Sequence, residues 1–195
     1  MGLSIHYNAH IKEAKLLPSL IEEVKDVSET YGWKYHIYEE IFPNEELTDK
    51  MSLDHVFGIS FTPSNCETLS LTFLNTGIMV CPARLSFFGN SQNEEEKAFV
   101  YTVSVKTQYG GVVLHQFIIH FLKYLNSKYF KDFSVSDESD YWETGDEQRM
   151  RSQFKNYDTL LDNFSLALET FPIDDRESMI DYINRLVKNI HDLKK

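Results

Sequence analysis

Residues 137–147 read DESDYWETGDE, six carboxylates with no basic residue among them and with Tyr141 and Trp142 in their midst. Hard cations need several oxygens converging on one point, so Asp137, Glu138, Asp140 and Glu143 are the candidate ligands of a calcium or magnesium ion. The spacing is not that of an EF-hand loop, because counting from Asp137 an aromatic stands where the required glycine would be. A divalent cation is the one cofactor these residues suggest. Tyr141 and Trp142 are candidates to line a ligand pocket, although a Trp at a strand-to-helix turn more often plugs a core. A structural reading competes with the chemical one. Thr144 stands three residues before Glu147 and Asp174 three before Glu177, each ahead of a helical pattern. Thr144 with Glu147 matches a capping box, and carboxylates at a helix start are favoured by its dipole. Capping explains Asp146 and Glu147 and leaves DESDYW open.

Histidines supply the second candidate set. His6 and His36 each sit between apolar residues in strand-like segments, so on neighbouring strands both imidazoles would share the face opposite Ile5 and Ile37. Two imidazoles on one face can bind a ligand or transition metal or relay a proton, with His10, His55 or Glu39 as further members. The plainer alternative is two ordinary residues on a solvated or helix-covered sheet face. His115 and His120 lie five apart on an apolar helix, about 140° around its axis, and do not form an H-E-x-x-H type of pair.

Local nucleophile motifs are absent: no serine lies in G-x-S-x-G, and neither cysteine has neighbours that mark it as reactive. No catalytic residue is therefore named. In QYGGVV, Gly110 and Gly111 lack the longer glycine spacing and the Lys with Ser or Thr of a phosphate loop, and read as a tight turn. Cys66 and Cys81 flank a hairpin turning near Thr76 and are out of register for a cross-strand bridge, so two free thiols are expected.

These side chains need elements to hold them. GLSIHYN alternates as a half-buried strand, and Leu17, Leu20, Ile21, Val24, Val27 and Tyr31 follow at helical spacing, with Pro18 in the first turn and Gly32 to end the helix. WKYHIYEE, HVFGISF, TLSLTFL, IMVCPARL and AFVYTVSVKT read as an antiparallel meander. Leu114, Phe117, Ile118, Phe121, Leu122 and Leu125 then mark an apolar helix, and FSVSDES a further strand. The expectation is an α+β fold: a mostly antiparallel or mixed sheet built around two β-α-β-like units, with helices on one face. Met150, Phe154, Tyr157, Leu161, Phe164, Leu168 and Phe171 step by alternating fours and threes, as do Met179, Ile183, Leu186, Ile190 and Leu193. They predict a helical hairpin whose seam packs within the chain or, second, across a homodimer. A single domain over 1–195 is expected, with a sheet core at 1–140 and the hairpin at 141–195.

The 195 residues, 42% of them apolar or aromatic, suit a folded chain with a real core. A balance of 30 acidic against 19 basic side chains, net charge -11, repels phosphate backbones and anionic membrane surfaces, which excludes nucleic acid and membrane as expected partners. The N-terminus has no signal-peptide pattern and no window approaches a membrane span, so a cytoplasmic protein is expected.

MGLSIHYN at the start and DESDYWETGDEQRMRSQF late in the chain resemble segments of a bacterial protein family of similar length that has no assigned function. The resemblance implies a bacterial source and no activity. Two expectations follow from the residues: a non-catalytic cytosolic protein that binds a protein partner or small ligand, or a metal-dependent, hydrolase-like enzyme using the acidic loop with His6 and His36.

Overall fold

The computed structural model describes residues 2–173 and 177–193. The chain forms two compact units, Met1–Met150 and Arg151–Lys195. The division falls later than the expected boundary between sheet core and hairpin.

In the first unit, β1 (Ser4–Ile11) leads into α1 (Leu17–Thr30) and β2 (Lys34–Ile37), then β3 (Phe57–Thr62) and β4 (Leu69–Phe73). Next come α2 (Pro82–Phe88), α3 (Glu94–Val100), β5 (Val103–Lys106), α4 (Gly111–Tyr129), β6 (Phe130–Asp137) and α5 (Tyr141–Thr144). The strands build two three-stranded antiparallel sheets, ordered β5-β1-β6 and β2-β3-β4. The fold is thus α+β. β5, α4 and β6 realise one β-α-β order: both strands flank β1 antiparallel to it and so run parallel to each other. The first such order does not return to its own sheet, since β1 and β2 belong to different ones.

β1 keeps the expected alternation, with Ile5, Tyr7, Ala9 and Ile11 buried between half-exposed neighbours. β4 is buried at every position and β3 from Phe57 to Phe61, so although LSLTF and FGISF alternate in sequence, both faces of these strands are covered and Ser60, Ser70 and Thr72 are buried too. The two sheets are tied together. The Tyr7 hydroxyl donates to the Ser70 carbonyl (3.1 Å) and accepts from the Ser70 amide (3.0 Å), and the strap after β4 bonds to β1 through Ile11 N to Gly77 O and Met79 N to Ala9 O.

Two expected strands are corrected. In IMVCPARL only Ile78 and Met79 make isolated bridges, and from Pro82 the chain is α2, because proline is pre-organised for a first helical turn and cannot donate to a ladder. In AFVYTVSVKT the strand is confined to β5. The residues before it form α3, whose start is capped by the Asn93 side chain accepting from Glu95 N (2.9 Å) and favoured by Glu94, Glu95 and Glu96 in the first turn.

α6 (Glu147–Thr170) runs from the first unit into the second, and α7 (Met179–Leu193) follows in the second. The cap of α6 is Asp146 rather than Thr144: Asp146 Oδ1 accepts from Arg149 N (3.0 Å), while the Thr144 hydroxyl accepts from Asp146 N and donates to Asp140 O. Asp174 lies outside the described residues. α7 opens on a reciprocal pair, in which Ser178 Oγ accepts from Asp181 N (3.2 Å) and donates to Asp181 Oδ2 (2.7 Å). Within the second unit Ala167, Tyr182 and Leu186 are buried together with Phe171 against them, and Arg185 grips Glu177 at 2.9 and 2.7 Å and the Pro172 carbonyl at 3.1 Å. This pairing across a short connection returns α7 alongside α6 as an antiparallel hairpin. The side chains of Ile190 and Leu193 lie outside those described. Among the described residues no helix is long and apolar enough to cross a membrane.

Candidate functional site

The densest polar cluster lies where β5, α4 and β6 meet, and His115 is its centre. The side chains of His115 and Asp137 are fully buried, as are Thr107 and Ser139. Asp137 closes β6 and gathers the turn behind it: Oδ1 accepts from Ser139 N (2.8 Å), and Oδ2 from Ser139 Oγ (2.8 Å) and Trp142 N (3.0 Å). His115 Nε2 lies 2.8 Å from Ser139 Oγ and 3.2 Å from Asp137 Oδ1, and Nδ1 lies 2.7 Å from Thr107 Oγ1. Burial pushes the Asp137 carboxyl up, but the hydrogen bond and charge of His115 and the amides of Ser139 and Trp142 outweigh it and hold the group at about 2.

Serine, histidine and aspartate within hydrogen-bonding reach invite a comparison with a nucleophile and its base, and the proton positions oppose it. The Ser139 hydroxyl proton goes to Asp137 Oδ2, so Ser139 Oγ can only accept from His115 Nε2. A general base needs that nitrogen bare, with the carboxylate on the opposite ring nitrogen. Here Asp137 sits on the same side as the serine and Thr107 occupies the other. With no exposed atom on these side chains, the arrangement pins α4 to the ends of β5 and β6.

Its electrostatics give a pH signature. The folded carboxyl lies below its ordinary 3.8, so its stabilisation is complete above that value and is lost as the pH falls toward about 2. Urea unfolding of wild type and Asp137→Asn across that range is expected to show the wild-type advantage shrinking by ~2 kcal/mol, and parallel profiles would contradict it.

The remaining candidates are dispersed. Glu138 accepts from Ser4 N (2.8 Å) with one oxygen and faces His6 at 3.6 Å with the other. Asp140, in the left-handed region at φ 60°, binds Arg149 at 2.5 Å, and Glu143 is exposed. Asp137, Glu138 and Asp140 thus turn to different partners, and Glu143 faces solvent. Among the described residues no three His, Cys, Asp or Glu side chains are grouped to hold a metal ion. His6 and His36 do not share a sheet: His6 is on β1, whereas His36 is on β2 with its ring edge-on to Tyr38. His10 faces Asp132 and His55 faces Glu39 in separate pairs. Tyr141 is buried, its ring parallel to that of His120 and its hydroxyl 3.2 Å from Nε2. Trp142 packs edge-on against Phe133 beneath Lys123, whose ammonium donates to the Trp142 carbonyl. Both aromatics anchor the α5 turn.

Reasoning from sequence weighed His115 only as a metal partner of His120 and set it aside, and it did not single out Ser139 or Thr107. The available signal was a histidine amid the apolar residues of α4, a buried polar group that must find partners.

No family model, curated protein or solved structure matches the chain. Its function has to be read from its own surfaces. A cavity of about 620 Å³ lies between the start of α1 and residues 41–46 and carries Glu13, Glu45 and Glu46, away from the His115 cluster.

The second unit exposes a different kind of surface. Leu161, Phe164 and Leu168 on α6 are 36, 37 and 40% exposed, and Met179, Ile183 and Val187 on α7 are 63, 44 and 58% exposed. At roughly 100° per residue, the α6 trio lies about 40–100° around from the buried Ala167–Phe171 line, and the α7 trio about 40–120° around from the Tyr182–Leu186 line, in the same rotational sense. In antiparallel helices equal senses of rotation, each viewed from its own N-terminus, point to the same side. The six side chains therefore form one uncharged face. It offers roughly 500 Å² of apolar surface, the size of the largest patch on a typical monomer, which often serves a function.

Proposed function

We propose that this chain is a non-catalytic protein that binds another protein through the apolar face of α6 and α7. The observation that carries the reading is that face: six exposed aliphatic and aromatic side chains on one side of a two-helix unit. The His115 cluster supports it from the other direction, since its hydrogen bonds run opposite to those of a nucleophile and base.

The test is photocrosslinking in cells with the full chain carrying Ile183→p-benzoylphenylalanine. Discrete protein adducts are expected that disappear when Leu161→Asp is added. The same photoreactive residue at Asn184, exposed but turned about 100° off the face, serves as control. Adducts equal at both positions, or none at 183, would overturn the reading.

The reading places the protein in the cytosol. Its two unpaired, half-buried thiols suit a reducing compartment. Burial pushes the Cys66 thiol up to about 11, and its Sγ–H donates to the Lys106 carbonyl at 3.3 Å. In a Cys81→Ser background, iodoacetamide at pH 8 is expected to alkylate Cys66 about a hundredfold more slowly than a free cysteine. Equal rates would show the thiol to be open.

A further inference from the structure

We propose that the occupant of this face is a second copy of the same chain, the two hairpins closing face to face into an antiparallel four-helix bundle. The inference rests on the protein-binding reading above and names the partner.

Three observations favour self-association. First, among the described residues of the second unit, about 45 residues long, the apolar side chains that are buried are Phe154 and the cluster of Ala167, Tyr182 and Leu186 with Phe171 beside it. Units this small usually need disulfides, metals or oligomerisation to fold stably. The unit's sequence has no cysteine to supply the first. Second, both helices keep the alternating four-three step of apolar residues, which lets side chains interlock at the shallow crossing angle of bundles. The hairpin uses one flank of each stripe, at Ala167–Phe171 and Tyr182–Leu186, and leaves the other flank for a second layer. Third, the areas fit. Two such faces would together remove about 1,000 Å² of apolar surface from water, which reaches the threshold for a specific interface before any polar rim is added. A two-fold arrangement sets the same patch against itself and closes at two chains, leaving no open end to propagate.

The experiment is sedimentation equilibrium of the full chain at tens of micromolar, beside Leu161→Asp/Ile183→Asp. Both substituted side chains are more than a third exposed, so the variant keeps the fold, checked by far-UV circular dichroism. The wild type is expected at twice its 22.8 kDa and the variant as a monomer. A monomeric wild type would overturn the inference, as would a dimer that survives the double substitution, whose interface would lie elsewhere. Failure of the inference and of the protein-binding reading are distinguishable. A monomeric wild type that still crosslinks at position 183 to a different protein removes the second copy and keeps the reading. A monomer without adducts removes both.

Discussion

His115→Ala is expected to lower the folding stability of the chain by ~3–5 kcal/mol, the usual cost of leaving a buried carboxylate without the partner that compensates it. For a chain of this length that is a fall in melting temperature of about 10 °C. The magnitude follows from what is left behind. Asp137 keeps the amides of Ser139 and Trp142 but loses the imidazole beside it in a place water does not reach, and the Thr107 and Ser139 hydroxyls each lose the ring nitrogen they face. A cavity the size of the imidazole adds to the cost. Ser139→Ala should be milder, ~1–3 kcal/mol, and because Ser139, Asp137 and His115 act as one network the single effects should exceed that of the triple replacement when summed. Thermal and urea unfolding measure both, and a loss below ~1 kcal/mol for His115→Ala would show that the cluster holds nothing together.

Gly58→Ala is expected to cost ~3 kcal/mol by the same measurement, from strained backbone and a collision. Gly58 has φ +117°, a conformation that side-chain-bearing residues rarely adopt, and a Cβ there would stand 2.3 Å from the Leu71 carbonyl oxygen of the neighbouring strand. That oxygen belongs to backbone and cannot swing aside. The same residue donates its N–H to Glu39 O (3.0 Å) and accepts from Tyr38 N (2.9 Å), so any shift of β3 also disturbs the chain that follows β2. A neutral Gly58→Ala would mean that β3 and β4 can separate without penalty.

Much of the scaffold was legible in the chain because it is written in local periods. β1 alternates, α1 ends at Gly32 as its pattern requires, and the apolar spacing of α4 and of the two late helices survives into the fold. Of the expected strands, IMVCPARL gave way to a helix opening at Pro82, and AFVYTVSVKT lost its first residues to a helix capped upstream at Asn93 and kept only β5. The polar cluster was illegible for a different reason. Thr107, His115 and Ser139 are separated by 8 and 24 residues on three elements, and only the packing of α4 across β5 and β6 brings them together. Asp137 did stand out in the acidic stretch, yet the role suggested by its neighbours, a cation ligand, differs from the one its burial gives it. Sequence could show that carboxylates were crowded there and could not show which way each would turn. The hairpin seam was visible as spacing, while its division into a buried flank and an exposed one depends on how few residues the two helices share.

The central claim is that the second unit is completed by protein laid on its apolar face. Backbone hydrogen exchange of the full-length protein, resolved along α6 and α7 at tens of micromolar, tests it most directly by comparing wild type with Leu161→Asp/Ile183→Asp. A hairpin with so small a core of its own should open readily when uncovered. The account predicts protection over residues 157–170 and 179–189 at least a hundredfold greater in the wild type, with the amides of β1, β3 and β4 unchanged between the two. Equal protection of the two helices in both proteins would contradict it.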